Sequence, residues 1–356
     1  MRSNYNQLGG RMKRNTLYII GIMLSTLLSF QSSFALNPAQ IDHVYYFGDS
    51  LSDTGYLNHS SNYVPEGQQP VYTTPLGHPA VFYVGQAFNH PTLPNNLNPP
   101  SGNEWVIGAL GGDDYAAGGA VTDSIGLGKP PFYSPPSLHQ QVFNFLSTHQ
   151  PRLHPNNLYV IWIGANDIFK AIRSTPSSEP LRLNAAINKA ITAATTTIQA
   201  EVTALYKRGA RHIVVINLPP MGDTPSMSKS TSLKLLGNMK SKKFNTQLLV
   251  KMLSLKKSIG YSPDIFNVNA LFKKIIDTVN TAGEYQEPNT ALILKNGTDP
   301  ACLDSRTNPA IMSIDCNHWV STDQQALDVF ADNVHPSDTT HQILAIHLEQ
   351  FIKTIK

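Results

Sequence analysis

At 356 residues, with 41% hydrophobic and 14% charged residues, the chain can bury a substantial core and is too apolar for a disordered protein. Its formal net charge is +3, but Arg2, Arg11, Lys13 and Arg14 lie in the first 35 residues with no acid among them, and without that segment the charge is −1. What remains shows no Lys/Arg cluster of the kind that binds nucleic acid, and no nucleic-acid partner is expected.

The first 35 residues read as a signal peptide. Arg11, Lys13 and Arg14 form a basic region, Thr16 to Phe30 an apolar one, and Ser33-Phe34-Ala35 a small-x-small cleavage site. The apolar run of about 15 residues is shorter than the roughly 20 a spanning helix needs. Cleavage near Ala35 is expected, with residues 36–356 as one secreted domain, extracellular or periplasmic. With 21 residues after His335, no β-barrel is expected to follow.

The first strand is expected at 43–47, an apolar, β-favouring run. It leads into Gly48-Asp49-Ser50-Leu51-Ser52-Asp53-Thr54-Gly55. A serine at the C-terminal end of a strand sits where open α/β sheets place their ligands. An insertion at 59–104 follows, rich in Pro, Asn and aromatics (Tyr63, Tyr72, Phe82, Tyr83). A short strand at 113–116 would carry Asp114-Tyr115-Ala116-Ala117-Gly118-Gly119-Ala120, whose paired glycines can expose an N–H to a substrate. A second insertion, 125–137, holds Phe132 and Tyr133. The two insertions would either line an acyl-chain pocket or cover the sheet edge.

Helix 137–149 precedes a strand at 158–163, which ends in Gly164-Ala165-Asn166-Asp167. The Asn166 amide can donate to a developing oxyanion. The clearest helix spans 183–207, with Ile187, Ile191, Ala194, Ile198, Val202 and Leu205 at three- and four-residue steps and Gly209 as its C-cap. Strand 211–217, helix 230–257, strand 264–268 and helix 338–354 follow. The last helix packs Ile343, Leu344, Leu348, Phe351 and Ile352 into the core. This alternation predicts one α/β domain, a parallel sheet with helices on both faces.

Asp332-Asn333-Val334-His335 completes the residue types of a serine-hydrolase triad. A serine hydroxyl is a poor nucleophile at neutral pH. It needs a histidine to take its proton and a carboxylate to hold that histidine's tautomer. Three-residue spacing lets Asp332 reach Nδ1 of His335 and leaves Nε2 for Ser50. Cys302 and Cys316 are the only cysteines. In a secreted chain they suggest a disulfide, worth about 3 kcal/mol for a loop of about 15 residues; two reduced thiols are the alternative. The loop lies shortly before Asp332 and is expected to shape the active-site mouth. Neither CxxC nor HExxH spacing occurs, so no metal and no cofactor are expected. His139, His154, His212 and His341 read as ordinary surface or core histidines. Asn58 and Asn296 begin formal glycosylation sequons.

These blocks together resemble the GDSL lipases and esterases, also called SGNH hydrolases. FGDSLSDTG, DYAAGGA, IGANDIF and ADNVHPSDTTHQILA appear in order, and Ser101-Gly102-Asn103-Glu104-Trp105-Val106 resembles the segment before the second block. The likeness covers about residues 42–354. It implies a single SGNH-hydrolase-type domain with Ser50 as nucleophile, His335 as general base and Asp332 as its orienter. It also implies an oxyanion hole from the Ser50 N–H, the Gly119 N–H and the Asn166 side chain. The family often has Asn where this chain has Asp114. The pattern is most similar to secreted bacterial lysophospholipases, phospholipases A and glycerophospholipid–cholesterol acyltransferases. That implies a lipid or lysophospholipid substrate, a sterol or other alcohol as acceptor in the transfer variant, and contact with a membrane surface. A carbohydrate acetyl esterase is the alternative that the same motifs serve.

Overall fold

In the computed structural model, described over residues 41–56, 71–95, 112–124, 126–127, 135–176 and 178–355, the sheet consists of β1 (Val44–Gly48), β2 (Leu158–Trp162), β3 (His212–Ile216) and β4 (Asp264–Phe266). The first three are buried at every position. Such unbroken apolar runs suit strands covered on both faces. All four pair in parallel in the order β1-β2-β3-β4.

The pleat sends alternate side chains to opposite cores. Val44, Tyr46, Val160, Trp162 and Val214 face one cluster. Tyr45, Phe47, Tyr159, Ile161 and Val215 face the other. The helices are α1 (Ala80–Ala87), α2 (Leu138–Thr148), α3 (Ala165–Arg173), α4 (Pro180–Arg208), α5 (Pro225–Ser228), α6 (Thr231–Ile259), α7 (Val268–Ala282), α8 (Leu303–Thr307), α9 (Thr322–Gln325) and α10 (Asp338–Ile352). α1, α7 and α10 supply the first core, and α2, α4 and α6 the second. The expected arrangement, a parallel sheet with helices on both faces, is the one observed.

Outside the sequence expectation lie α1, α3, α7, the short helices α5, α8 and α9, and the antiparallel pair β5 (Tyr285–Gln286) and β6 (Ile293–Leu294). In place of the expected strand at 113–116, Asp114 makes isolated bridges to Tyr46 on one side and Pro94 on the other. Tyr46 N–H donates to Asp113 O, and Tyr115 N–H donates to Tyr46 O. Ala117 N–H carries the pairing on by donating to Gly48 O at 3.2 Å, but no regular ladder forms because Gly48 N–H is taken by Gln141 Oε1 at 2.9 Å. The expected leader at 1–35, Asn58 and the aromatics Tyr63, Phe132 and Tyr133 lie outside the described residues. No described helix is long and apolar enough to cross a membrane.

Candidate active site

Ser50 lies two residues beyond Gly48, the last residue of β1. Gln141 of α2 clamps that strand end: it donates to Gly48 O and accepts from Gly48 N–H, at 2.8 and 2.9 Å. Beyond Ser50 the chain turns at once, with Ser52 and Asp53 N–H both donating to Asp49 O. The serine therefore stands on a fixed corner.

His335 Nε2 lies 2.7 Å from Ser50 Oγ, and its Nδ1 lies 2.7 Å from Asp332 Oδ2. Ser50, His335 and Asp332 are 7%, 6% and 0% exposed, so bulk water does not compete for these contacts. Asp332 Oδ1 accepts the N–H groups of Val334 and His335, each at 2.8 Å. Burial alone would raise the Asp332 pKa, but His335 and these donors hold it below the usual carboxylate value. Ser337 caps α10, accepting from Thr340 N–H, which fixes the chain just after His335.

Ser50, Gly119, Asn166 and His335 line one cavity of about 1010 Å³. The two glycines differ in their hydrogen bonds. Gly118 N–H donates to Asp53 Oδ2 at 2.6 Å, whereas Gly119 N–H has no partner among the described residues. Gly119 has φ +78°, and a Cβ there would meet Leu127 O at 2.6 Å, so only glycine fits. Asn166 lies in the first turn of α3 and spends one amide N–H on Ala120 O, at 3.0 Å, leaving the other for a ligand. Asp114 is fully buried and accepts from Thr54 N–H and Oγ1. The residue that departs from the family pattern thus joins the serine block to the glycine block.

Cys302 and Cys316 are bonded, their Cα atoms 6.1 Å apart. Between them, Pro309, Ala310, Met312 and Ile314 line the cavity. Ser313 N–H also donates to Asp332 Oδ2 at 2.6 Å. The disulfide loop is therefore both a wall of the cavity and a prop of the carboxylate. The first insertion contributes Tyr72, whose ring packs against His335 with centroids 4.9 Å apart. Phe82 and Tyr83 point elsewhere, one stacked on His78 and the other bonded to Asp338. Of the second insertion, Leu127 lines the cavity. His341 is buried and its Nδ1 accepts the first N–H of α1, from Ala80. Burial pushes its pKa down to about 3. Asn296 spends its side-chain donors on Asp299 and Asp328.

Nothing in the sequence alone assigns a role to Gln141, Asp53 or Asp49. Asp49 is 1% exposed, and its Oδ2 has no partner among the described residues. Burial pushes its pKa up to about 7, against the Leu51 N–H and nearby His335. An unfolded aspartate titrates near 3.9, so the fold favours the neutral form. That contribution is complete below about pH 4 and lost as pH rises through about 7. Asp49→Asn should make the melting temperature fall less between about pH 4 and about pH 8 than in the wild type. Equal slopes in a calorimetric pH series would refute this.

A family model described as GDSL-like lipase/acylhydrolase matches residues 44–348. Lipase 1 of Photorhabdus luminescens is 27% identical over 61% of this chain, and the matched stretch is 27% of that longer protein. A GDSL esterase/lipase of Arabidopsis thaliana is 28% identical over 92% of this chain and 91% of its own length. Phosphatidylcholine-sterol acyltransferase of Aeromonas hydrophila is 22% identical over 96% and 98%. Among solved structures, an extracellular lipase of Streptomyces rimosus matches with TM-score 0.40 and 14% identity, covering 86% of this chain and 98% of that one.

Proposed function

The chain belongs to the GDSL-like lipase/acylhydrolase family and is a serine ester hydrolase, and we propose that its substrates are lipid esters, lysophospholipids in particular, cleaved through Ser50, His335 and Asp332. The observation that carries this is the run of two 2.7 Å contacts from Asp332 to Ser50 opening into the cavity.

Ser50 Oγ attacks the ester carbonyl while His335 Nε2 takes its proton, and Asp332 holds the resulting imidazolium. The Ser50 and Gly119 N–H groups and the Asn166 amide receive the oxyanion. His335 then protonates the leaving alcohol, and water releases the acyl group. An alcohol in place of water would give acyl transfer. Leu51, Phe169, Met221, Phe272, Ile276 and Phe330 give the cavity the apolar lining an acyl chain needs. Arg173, exposed in the last turn of α3, also lines it and suits a phosphate-bearing head group better than an acetylated sugar. In this reading residues 1–35 direct the chain out of the cytoplasm.

The test is fatty-acid release from a lysophospholipid by the mature protein, beside an acetylated sugar. Release from the lipid alone supports the reading. Deacetylation of the sugar without lipid hydrolysis would move the substrate class to carbohydrate.

Two expectations follow for the surroundings of the serine. Asn166→Ala should lower kcat about 10²- to 10³-fold with little change in KM, since the amide is asked to act on the oxyanion rather than on the ground-state ester. A rise in KM at constant kcat would assign Asn166 to substrate binding instead. Because Ser313 N–H holds Asp332, reducing the disulfide should change activity more than stability. Equal activity of the reduced, folded protein would exclude that coupling.

A further inference from the structure

α6 (Thr231–Ile259) is apolar on two sides. Its inner side, with Phe244, Leu248, Met252 and Leu255, is buried in the second core. A surface helix needs no more than that one stripe. Yet Leu235, Met239, Leu249, Val250 and Leu253 are 62%, 56%, 46%, 61% and 55% exposed. At 100° per residue all five fall within about 60° of one line, which runs along the helix for about 27 Å.

Charge on the same helix is one-sided. Its 29 residues include seven lysines and no carboxylate. Lys234 pairs with Asp223, and Lys240 reaches Asn184 and Asn188. Lys242, Lys243, Lys251, Lys256 and Lys257 have no acidic partner among the described residues. Lys256 and Lys257 also complement the carbonyl end of the helix. That explanation does not reach Lys242 and Lys243, which lie mid-helix beside the apolar line.

We propose that the outer face of α6 is an interfacial docking surface for an anionic lipid bilayer, its Leu, Met and Val side chains entering the boundary region and its lysines meeting the head groups. An exposed apolar row flanked by cations is what such a surface selects. A second copy of the chain suits it poorly, because a symmetric contact would set lysines against lysines. α6 also braces a wall of the cavity: its Asn238 and Ser241 accept the N–H groups of Gly222 and Met221, and Met221 is a lining residue. Docking would thus hold a source of ester lipid against the element behind the active site. The proposal goes beyond the catalytic reading and stands apart from it.

The experiment is sedimentation of the mature protein with diether-phospholipid vesicles, which offer no ester to cleave, so binding and hydrolysis are read separately. Binding to vesicles containing phosphatidylglycerol and none to phosphatidylcholine alone is expected. It should be lost between about 0.01 M and about 1 M NaCl, as the Debye length falls from about 30 to about 3 Å. Lys242→Gln with Lys243→Gln should weaken binding about thirtyfold, and Leu249→Ser with Leu253→Ser about tenfold. Thermal melting and hydrolysis of a short soluble ester should stay at wild-type levels in both double variants. No binding to anionic vesicles, equal binding to both lipids, or wild-type binding by the variants would overturn the proposal. So would a concentration-dependent dimer that the leucine changes abolish, which would give the face to a second copy.

Discussion

Replacing Ser50 by Ala should lower kcat/KM for an ester substrate by roughly 10⁴- to 10⁶-fold, and the protein should no longer be labelled by a fluorophosphonate. The size of the effect follows from what remains. Without Oγ, His335 and Asp332 have no nucleophile to serve, and the oxyanion donors alone give only a residual rate. The loss should be one of chemistry and not of folding. Ser50 stands on a corner fixed by Gln141 on one side and the turn at Asp49 on the other, and neither contact uses its hydroxyl. The melting temperature of Ser50→Ala should therefore stay within a few degrees of the wild type. Mass spectrometry of the intact protein after labelling locates the adduct. An adduct in Ser50→Ala, or activity within tenfold of wild type, would place the nucleophile elsewhere.

How much of the fold is legible in the sequence depends on the range of the interaction responsible. β1, β2 and β3 declare themselves as apolar β-favouring runs because a doubly covered strand has no polar face to confuse the pattern. α4 was equally legible, with its apolar stripe and Gly209 at its end. α1 was not: its N-cap, Pro79, has no side-chain cap, and its first N–H is taken by His341, 261 residues away. α3 starts at a glycine with φ +126°, a conformation that needs no cap residue to announce it. The segment at Asp114 reads as a strand because the sequence cannot show that Gly48 N–H, which a longer ladder would need, is taken by Gln141, 93 residues away.

The same distinction applies to the site. Ser50, Asp332 and His335 were legible because the chemistry demands those residue types, and Asn166 because it follows a strand end. The choice of Gly119 over Gly118 needed the resemblance, and its physical reason is the Asp53 carboxylate, 65 residues earlier in the chain. Gln141 gives no signal at all, being one polar residue in an ordinary helix; its role exists only once Gly48 is beside it. The lysines of α6 are spread along 29 residues of sequence, so they formed no cluster to the eye. Folding them onto a helix beside the exposed leucines is what makes them a surface.

Asp332→Asn is expected to cost about 10⁴-fold in kcat with a smaller change in KM. The carboxylate accepts four contacts: Val334 and His335 N–H on Oδ1, and Ser313 N–H and His335 Nδ1 on Oδ2. An amide has a single acceptor oxygen. If it keeps the two turn N–H groups, its NH₂ faces Ser313 N–H and His335 Nδ1. Donor then meets donor at Ser313, and the imidazole is driven to carry its proton on Nε2, where Ser50 needs a base. If it flips, the turn that presents His335 loses its support. Either way the native arrangement is weakened, by about 2 kcal/mol for a buried charge-assisted contact. The pH dependence separates the structural from the catalytic loss. Because the folded Asp332 pKa is depressed, its contribution to stability is full above the unfolded value near 4 and is lost as pH falls from there through the lower folded value. The gap in melting temperature between Asp332→Asn and wild type should thus be widest at neutral pH and close toward acid, while the deficit in kcat persists at every pH at which both proteins are folded. A kcat deficit that closes in step with the stability gap would mean that Asp332 acts only by holding the fold.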